Sequence, residues 1–274
     1  MKTLTKVGFV FICFLISIII VFRINKDGFV TDSTIPLRIS AFIINMDKNK
    51  ERWNRVIQHY NNSDMTELKL QRYSAVVGKD VNVYDWLSPY AIVELEQVER
   101  NKFRLYHYQL TMGGIGCFLS HYNLMKKLID DPDNDYYFIM EDDIVFSPTT
   151  YLNIKQSIIN APPNWNMLLY GYIRTVNDTT YNDNNYFIKL NAFWGMQGYL
   201  VNKKGAKIFV EEADANKIDG QVDAFLSRMI QQGKIDIYAY KKRQIATFDS
   251  ISDIQNQLLI QPNINPFMFK GYSV

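Results

Sequence analysis

The stretch Tyr136-Tyr137-Phe138-Ile139-Met140-Glu141-Asp142-Asp143-Ile144-Val145-Phe146 sets three consecutive carboxylates between two apolar runs. The first run is short, aromatic and β-favouring, so it predicts a buried strand. Pro132, within the acidic cluster Asp131 to Asp135, marks a turn before it, and Ser147-Pro148 marks one after. Unpaired charge resists burial, so carboxylates at the carboxyl end of a buried strand cost stability. The same oxygens suit a divalent cation. Taken alone, the triplet leaves two readings open: a metal site at the edge of an α/β sheet, or a solvated acidic loop.

The whole chain narrows the frame. Its 274 residues, 47% apolar, are enough to bury a sizeable core as one large domain. A net charge of +2 gives no argument for nucleic acid or for a strongly acidic partner. Aromatic residues make up 14% of the chain, including 18 Tyr and 17 Phe, which suits either a platform for sugar-like ligands or ordinary core packing. Cys13 and Cys117 stand in different settings and form no disulfide framework.

Val7 to Phe22 is a nearly unbroken apolar run, interrupted by Gly8 and Ser17. As a helix it would extend roughly 24 Å, enough for a thin bilayer. Ile18-Ile19-Ile20-Val21-Phe22-Arg23 offers no small-x-small cleavage pattern, so an uncleaved signal-anchor over residues 7–24 is expected rather than a cleaved signal peptide. Lys2 and Lys6 precede the run, while Arg23 and Lys26 follow it together with Asp27. That bias places residues 1–6 in the cytosol and the remainder in the lumen of the endoplasmic reticulum, the Golgi or an equivalent compartment. Residues 25–36 then read as a polar stem, and residues 37–274 as the globular domain.

Ile39 to Ile44 is a strand candidate that stops at Asn45-Met46-Asp47. A charged helix from about Glu51 to Tyr60 follows, with Trp53, Val56, Ile57 and Tyr60 at core-facing spacing. A strand, a polar turn and a helix suit an open α/β sheet whose ligand sits at the strands' carboxyl ends. Asn45, Asp47 and Arg52 would ring that edge, or else serve as helix caps and surface charge. Leu68 to Val76 predicts a second strand. Tyr84 to Gln109 reads as helix and loop with no assignable chemistry.

In Leu110 to His121 and beyond, Ile115, Phe118, Leu119, Tyr122, Met125 and Ile129 recur every three or four residues, predicting a helix to about Asp130 with Thr111 as its cap. Gly113, Cys117 and His121 share one face, and small residues there admit a close neighbour. Gly116, Ser120 and Asn123 line an adjoining face. Cys117 and His121 are zinc-ligand types, but two ligands do not make a site. His121 reads as a ligand contact or an anchor beside the acidic edge.

Four segments carry a resemblance to glycosyltransferase family 25, the group containing lipooligosaccharide and collagen hydroxylysine galactosyltransferases. Ile43-Ile44-Asn45-Met46-Asp47 with Glu51-Arg52 resembles the family's opening strand. Arg72-Tyr73-Ser74-Ala75-Val76-Val77-Gly78-Lys79 resembles its Arg-Phe-x-Ala-Val-Asp-Gly segment, and Leu110 to His121 its Gly-Glu-Ile-Gly-Cys-x-x-Ser-His helix. Ile139 to Ile144 resembles its Leu-Glu-Asp-Asp-Val signature. The resemblance runs from about Leu37 to Gln257, taking in Gly171 at a strand end, Tyr199 to Ala206, Asp223 and the Ser252-Asp253-Ile254 pattern.

That resemblance implies an α/β fold: a GT-A-like, Rossmann-type open mixed sheet flanked by helices, here with an N-terminal transmembrane helix. It implies transfer of a hexose, galactose first and glucose next, from a UDP-sugar to a hydroxyl of a glycan or protein, with inversion. Mn²⁺ or another divalent cation is expected at Glu141, Asp142 and Asp143, with Asp143 as the direct ligand. Donor contacts are expected from Asn45, Asp47, Arg52, Gly113, Ser120, His121 and Gly171. Asp223 is the candidate base, and Asp253 a second candidate for that role or for the metal. Gly114 stands where the family usually has Glu, and Val77 where it has Asp. The first departure opens a competing reading, a membrane-anchored domain that has lost catalysis and serves in binding or as a scaffold. Asn61-Asn62-Ser63 and Asn177-Asp178-Thr179 are glycosylation sequons that a lumenal domain would expose.

Overall fold

The computed structural model describes residues 37–105, 109–179 and 184–248. The expected span over residues 7–24, the stem over residues 25–36 and Asp253 all lie outside the described residues. Among the described residues, no helix is long and apolar enough to cross a membrane.

The chain opens with β1 (Ile39–Asn45), α1 (Lys50–Asn61), β2 (Leu70–Ser74), α2 (Pro89–Asn101) and α3 (Met112–Asp130). It continues through β3 (Tyr136–Met140), β4 (Ile144–Phe146), α4 (Thr150–Ile159), β5 (Met167–Gly171), β6 (Arg174–Asn177) and β7 (Phe187–Trp194). The last described elements are β8 (Gly198–Asn202), α5 (Lys203–Asn216), α6 (Val222–Gln231), β9 (Ile237–Tyr240) and β10 (Ile245–Thr247).

Among the described residues the main sheet has the order β2-β1-β3-β8-β5-β9-β7-β6. β1 runs parallel to both β2 and β3, and β5 runs parallel to β9. β8 is inserted antiparallel between β3 and β5. β3 and β5 therefore point the same way, and the carboxyl ends of β1, β3 and β5 fall on one edge. This is the mixed α/β sheet that the sequence leads one to expect. β4 leaves the sheet and pairs antiparallel with β10 as a separate ribbon.

Alternation along each strand builds two cores. Phe42, Ile44, Tyr137, Ile139, Leu169, Tyr199 and Val201 pack with α2, α3, α5 and α6 on one face. Ala41, Ile43, Phe138, Met140, Leu168 and Leu200 face the other way, onto Val56 of α1, Ile154 of α4 and the β4–β10 ribbon. The strands are covered on both faces, which is why the run before the acidic triplet is continuously apolar.

Two local expectations are corrected. The second strand covers Leu70–Ser74 rather than Leu68 to Val76. Leu68 closes a short 3₁₀ turn, and the Val76 N–H leaves the ladder to donate to the Ser120 hydroxyl at 2.9 Å. In α1 the core-facing spacing is as expected, with Val56 fully buried and Trp53 and Tyr60 packed partly against the core. Asn123 is exposed, so it does not share the environment of Gly116 and Ser120. The helix starting after Thr111 is as expected, with the Thr111 hydroxyl accepting from the Gly114 N–H at 3.0 Å.

Small residues at the start of α3 have a steric reason. A Cβ on Gly78 would sit 1.8 Å from the Met112 carbonyl oxygen, and one on Gly116 would sit 2.4 Å from the Val76 oxygen. The segment after β2 thus crosses α3 backbone to backbone. Gly114 has no such constraint, since a Cβ there would meet nothing closer than 3.4 Å.

Candidate active site

β1 and β3 are in register with Ile43 opposite Met140, so the polar residues after each strand emerge side by side. Asp142 is buried there. One of its oxygens accepts from the Asn45 amide at 2.6 Å, and the other from the Arg52 guanidinium at 3.0 Å. Asn45 is itself anchored: its amide also donates to the Asn49 carbonyl at 3.1 Å, and its oxygen accepts from Arg72 at 2.8 Å. Arg72 continues to Asp47 at 2.7 Å, where the Ser74 hydroxyl also donates at 2.8 Å. The Ser74 bond and then the Arg72 bond hold the Asp47 carboxyl below the usual carboxylate range. Asp47, Arg72, Asn45, Asp142 and Arg52 form one continuous polar chain.

Beside this chain lies a cavity of about 420 Å³. Its walls are the backbone from Ala75 to Lys79, the α3 residues Gly113, Cys117, Ser120 and His121, and the triplet Glu141, Asp142 and Asp143. Lys48, Arg52, Lys79 and Lys102 supply positive charge to the same lining. An acidic floor with cationic groups around it suits a ligand that carries both a cation and phosphate oxygens.

Of the expected donor contacts, Arg52, Gly113, Ser120 and His121 line this cavity. Ser120 is also a structural link, donating to the Gly116 carbonyl at 2.7 Å while it accepts from Val76. Asn45 and Asp47 lie behind the lining, in the polar chain. Gly171 is elsewhere: a Cβ on it would lie 3.0 Å from Ile245, so the end of β5 is covered by β10.

The electrostatics single out Glu141. Burial first, then the charges of Asp143, Asp142 and Asp223, push its pKa up to about 8, and Arg52 only partly opposes them. Crowded carboxylates of this kind are relieved by a divalent cation, so the oxygen donors Asp143 and Glu141 fit one. Burial, with Glu141, Asp223 and Asp143 adding to it, raises the Cys117 thiol well above its ordinary value. His121 is fully buried and neutral, its pKa pushed down to about 3 by desolvation.

Asp223 is buried in the first turn of α6 and does not line the cavity. Its two oxygens accept from the Gly195 N–H at 2.9 Å and from the Ala224 N–H at 2.8 Å. Burial still raises its pKa, against these bonds. Gly195 has φ +81°, a conformation other residues rarely adopt. Two residues on, the Gln197 carbonyl accepts from the Glu141 N–H at 3.1 Å.

Sequence reasoning does not single out Lys48, Lys79, Lys102 or Tyr199. Lys48 and Lys79 directly follow Asp47 and Gly78, the polar ends of two strand segments, and that position was an available signal. Lys102 follows α2 in a left-handed conformation with φ 58°, which nothing local announces.

Fold and cavity together define an α/β domain that presents a charged ligand site at the carboxyl edge of its sheet. The model of the family described as "Glycosyltransferase family 25 (LPS biosynthesis protein)" matches residues 38–226, and the chain belongs to glycosyltransferase family 25. It is 26% identical over 184 residues to a glycosyltransferase 25 family member of Anopheles gambiae, covering 65% of this chain and 29% of that protein. Against procollagen galactosyltransferase 2 of Homo sapiens the identity is 25% over 230 residues, covering 81% of this chain and 34% of the relative. The chain thus spans about a third of the length of these relatives. Among solved structures, a Drosophila β1,4-galactosyltransferase 7 mutant in complex with manganese, UDP-Gal and xylobiose aligns with a TM-score of 0.39 at 9% identity, over 77% of this chain and 71% of that one.

Proposed function

We propose that this domain transfers a hexose, galactose first, from a UDP-sugar to a hydroxyl of a glycan or protein acceptor. The reaction is metal-dependent, proceeds with inversion, and uses a GT-A-like arrangement of the sheet. The observation that carries this reading is the cavity in which Glu141 and Asp143 meet Lys48, Arg52, Lys79 and Lys102.

A divalent cation, Mn²⁺ first, would stabilise the charge that develops on the departing diphosphate. Asp143 would hold the cation directly and Glu141 would act through water. Asp142 is already committed to Asn45 and Arg52, and holds the triplet in place. The lysines and Arg52 neutralise the remaining phosphate charge. In the chemical step the acceptor oxygen bonds to the anomeric carbon as the bond from that carbon to the diphosphate oxygen breaks. UDP leaves with the electron pair, and the acceptor proton passes to a carboxylate. Asp223 is the proposed base on the family resemblance alone: it is buried outside the cavity lining, with its oxygens engaged by the Gly195 and Ala224 N–H groups. Residues 7–24 would anchor the protein with its catalytic domain in the lumen.

The test is UDP release by the full chain from a panel of UDP-sugars, with and without Mn²⁺. Metal-dependent release from at least one donor is expected. Binding of UDP-sugars without turnover across a broad acceptor panel would instead support an inactive scaffold.

A further inference from the structure

We propose that Cys117, His121 and Glu141 form a site for Zn²⁺ or a similarly soft divalent cation, adjacent to the oxygen site at Asp143 and sharing Glu141 with it, but not requiring Asp143. Three observations converge on it. One ligand atom from each residue lies within 4.8 Å of those of the other two. Cys117 and His121 are four residues apart on α3 and so share a face, while Glu141 follows directly from β3. All three line the cavity, so ligands from two rigid elements converge with one side left open.

The imidazole supplies the strongest sign. His121 is fully buried, its Nδ1 lies 2.9 Å from the Tyr199 hydroxyl, and its Nε2 has no hydrogen-bond partner among the described residues. A buried polar nitrogen without a partner is costly, and a ligated one is not. With Nδ1–H donating to the phenol oxygen, the Nε2 lone pair is left to ligate, the pattern by which an outer partner fixes a metal-binding histidine. Desolvation keeps the phenol of Tyr199 neutral, so it serves as that partner without adding charge.

Ligand chemistry selects the ion. A thiolate, an imidazole and a carboxylate suit zinc, whereas Mn²⁺ and Mg²⁺ favour oxygen. Zn–S bonds of about 2.3 Å and Zn–N bonds of about 2.0 Å place tetrahedral ligands roughly 3.3–3.8 Å apart, within reach of a side-chain rotation of Glu141. Binding releases the Cys117 thiol proton to solvent, together with the Glu141 proton where it is present. Three protein ligands leave a fourth position towards the cavity for water or an oxygen of a bound ligand.

The experiment titrates the metal-free full chain with Co²⁺ as a zinc surrogate and follows thiolate-to-cobalt charge-transfer absorption. One equivalent should produce the band and Zn²⁺ should abolish it. Cys117→Ser should lose it, and Cys13→Ser should keep it. Tyr199→Phe should retain the band with affinity lower by about 10–100-fold. Asp143→Asn should also retain it while losing Mn²⁺-dependent UDP binding, which separates this site from the proposed transferase site. Absence of the band in the unmodified chain, its survival in Cys117→Ser, or its loss in Asp143→Asn would overturn the proposal. The first of these outcomes does not depend on any variant folding.

Discussion

The Asn45 amide donates to Asp142 across 2.6 Å where β1 and β3 end side by side. With Arg52 on the other oxygen at 3.0 Å, the middle carboxylate of the acidic triplet is part of the framework. Asp142→Ala should therefore destabilise the fold by about 2–3 kcal/mol, because it removes two hydrogen bonds to a charged group, from Asn45 and from Arg52. Asp142→Asn should cost about half as much. Urea denaturation measures both, and a cost below that of a typical surface substitution would remove Asp142 from the framework.

Asp143 should behave in the opposite way. Asp143→Asn is expected to change stability by no more than about 1 kcal/mol. It should lower Mn²⁺-dependent UDP release by on the order of 100-fold or more. Full activity in this variant would move the metal ligand elsewhere.

The crossing between the Gly78 segment and α3 gives a steric prediction. Gly116→Ala places a Cβ 2.4 Å from the Val76 oxygen and 2.8 Å from the Gly78 nitrogen. A destabilisation of about 1–3 kcal/mol should follow, since both neighbours are backbone. Gly114→Ala, two residues earlier in the same helix, meets only ordinary contacts and should stabilise by about 0.5–1 kcal/mol. Thermal melts of the two variants should shift in opposite directions.

Stability of the metal-free protein should depend on pH through two groups of opposite sign. The His121 pKa is about 3 in the fold against an ordinary value of 6.5, so its contribution is present above pH 6.5 and is lost as pH falls towards 3. The Glu141 pKa is about 8 against an ordinary value of 4.5, so its contribution is present below pH 4.5 and is lost as pH rises through 8. The two slopes oppose each other between pH 4.5 and 6.5. Glu141→Gln should flatten the alkaline limb in melts recorded with a chelator. An unchanged limb would show that Glu141 ionises normally.

β1, β3 and α3 are legible in the sequence because their signals are local. Alternation or continuous burial marks the strands, and three- and four-residue spacing with a Thr111 cap marks the helix. The insertion of β8 between β3 and β5 is not legible, because pairing partners far apart in the chain leave no short-range pattern. The role of Asp142 is hidden for a related reason. Three adjacent carboxylates look alike until Asn45 and Arg52 arrive from other elements to engage one of them. Resemblance marks Asp223 and Gly171, yet neither lines the cavity, since one is buried against Gly195 and the other lies beneath Ile245. The approach of Glu141 to Cys117 and His121 is not legible either, because it arises only from the packing of α3 against the sheet.

The short link from Gly195 to Gln197 reaches both acidic positions at once, with its first N–H on Asp223 and its last carbonyl on the Glu141 backbone. It acts as a gauge block, setting the Asp223 carboxylate against the backbone that carries Glu141. A residue inserted into it would shift the Asp223 carboxylate relative to the Glu141 backbone while leaving both segments' own sequences intact. The length of this turn is therefore as much a part of the site as the side chains it holds.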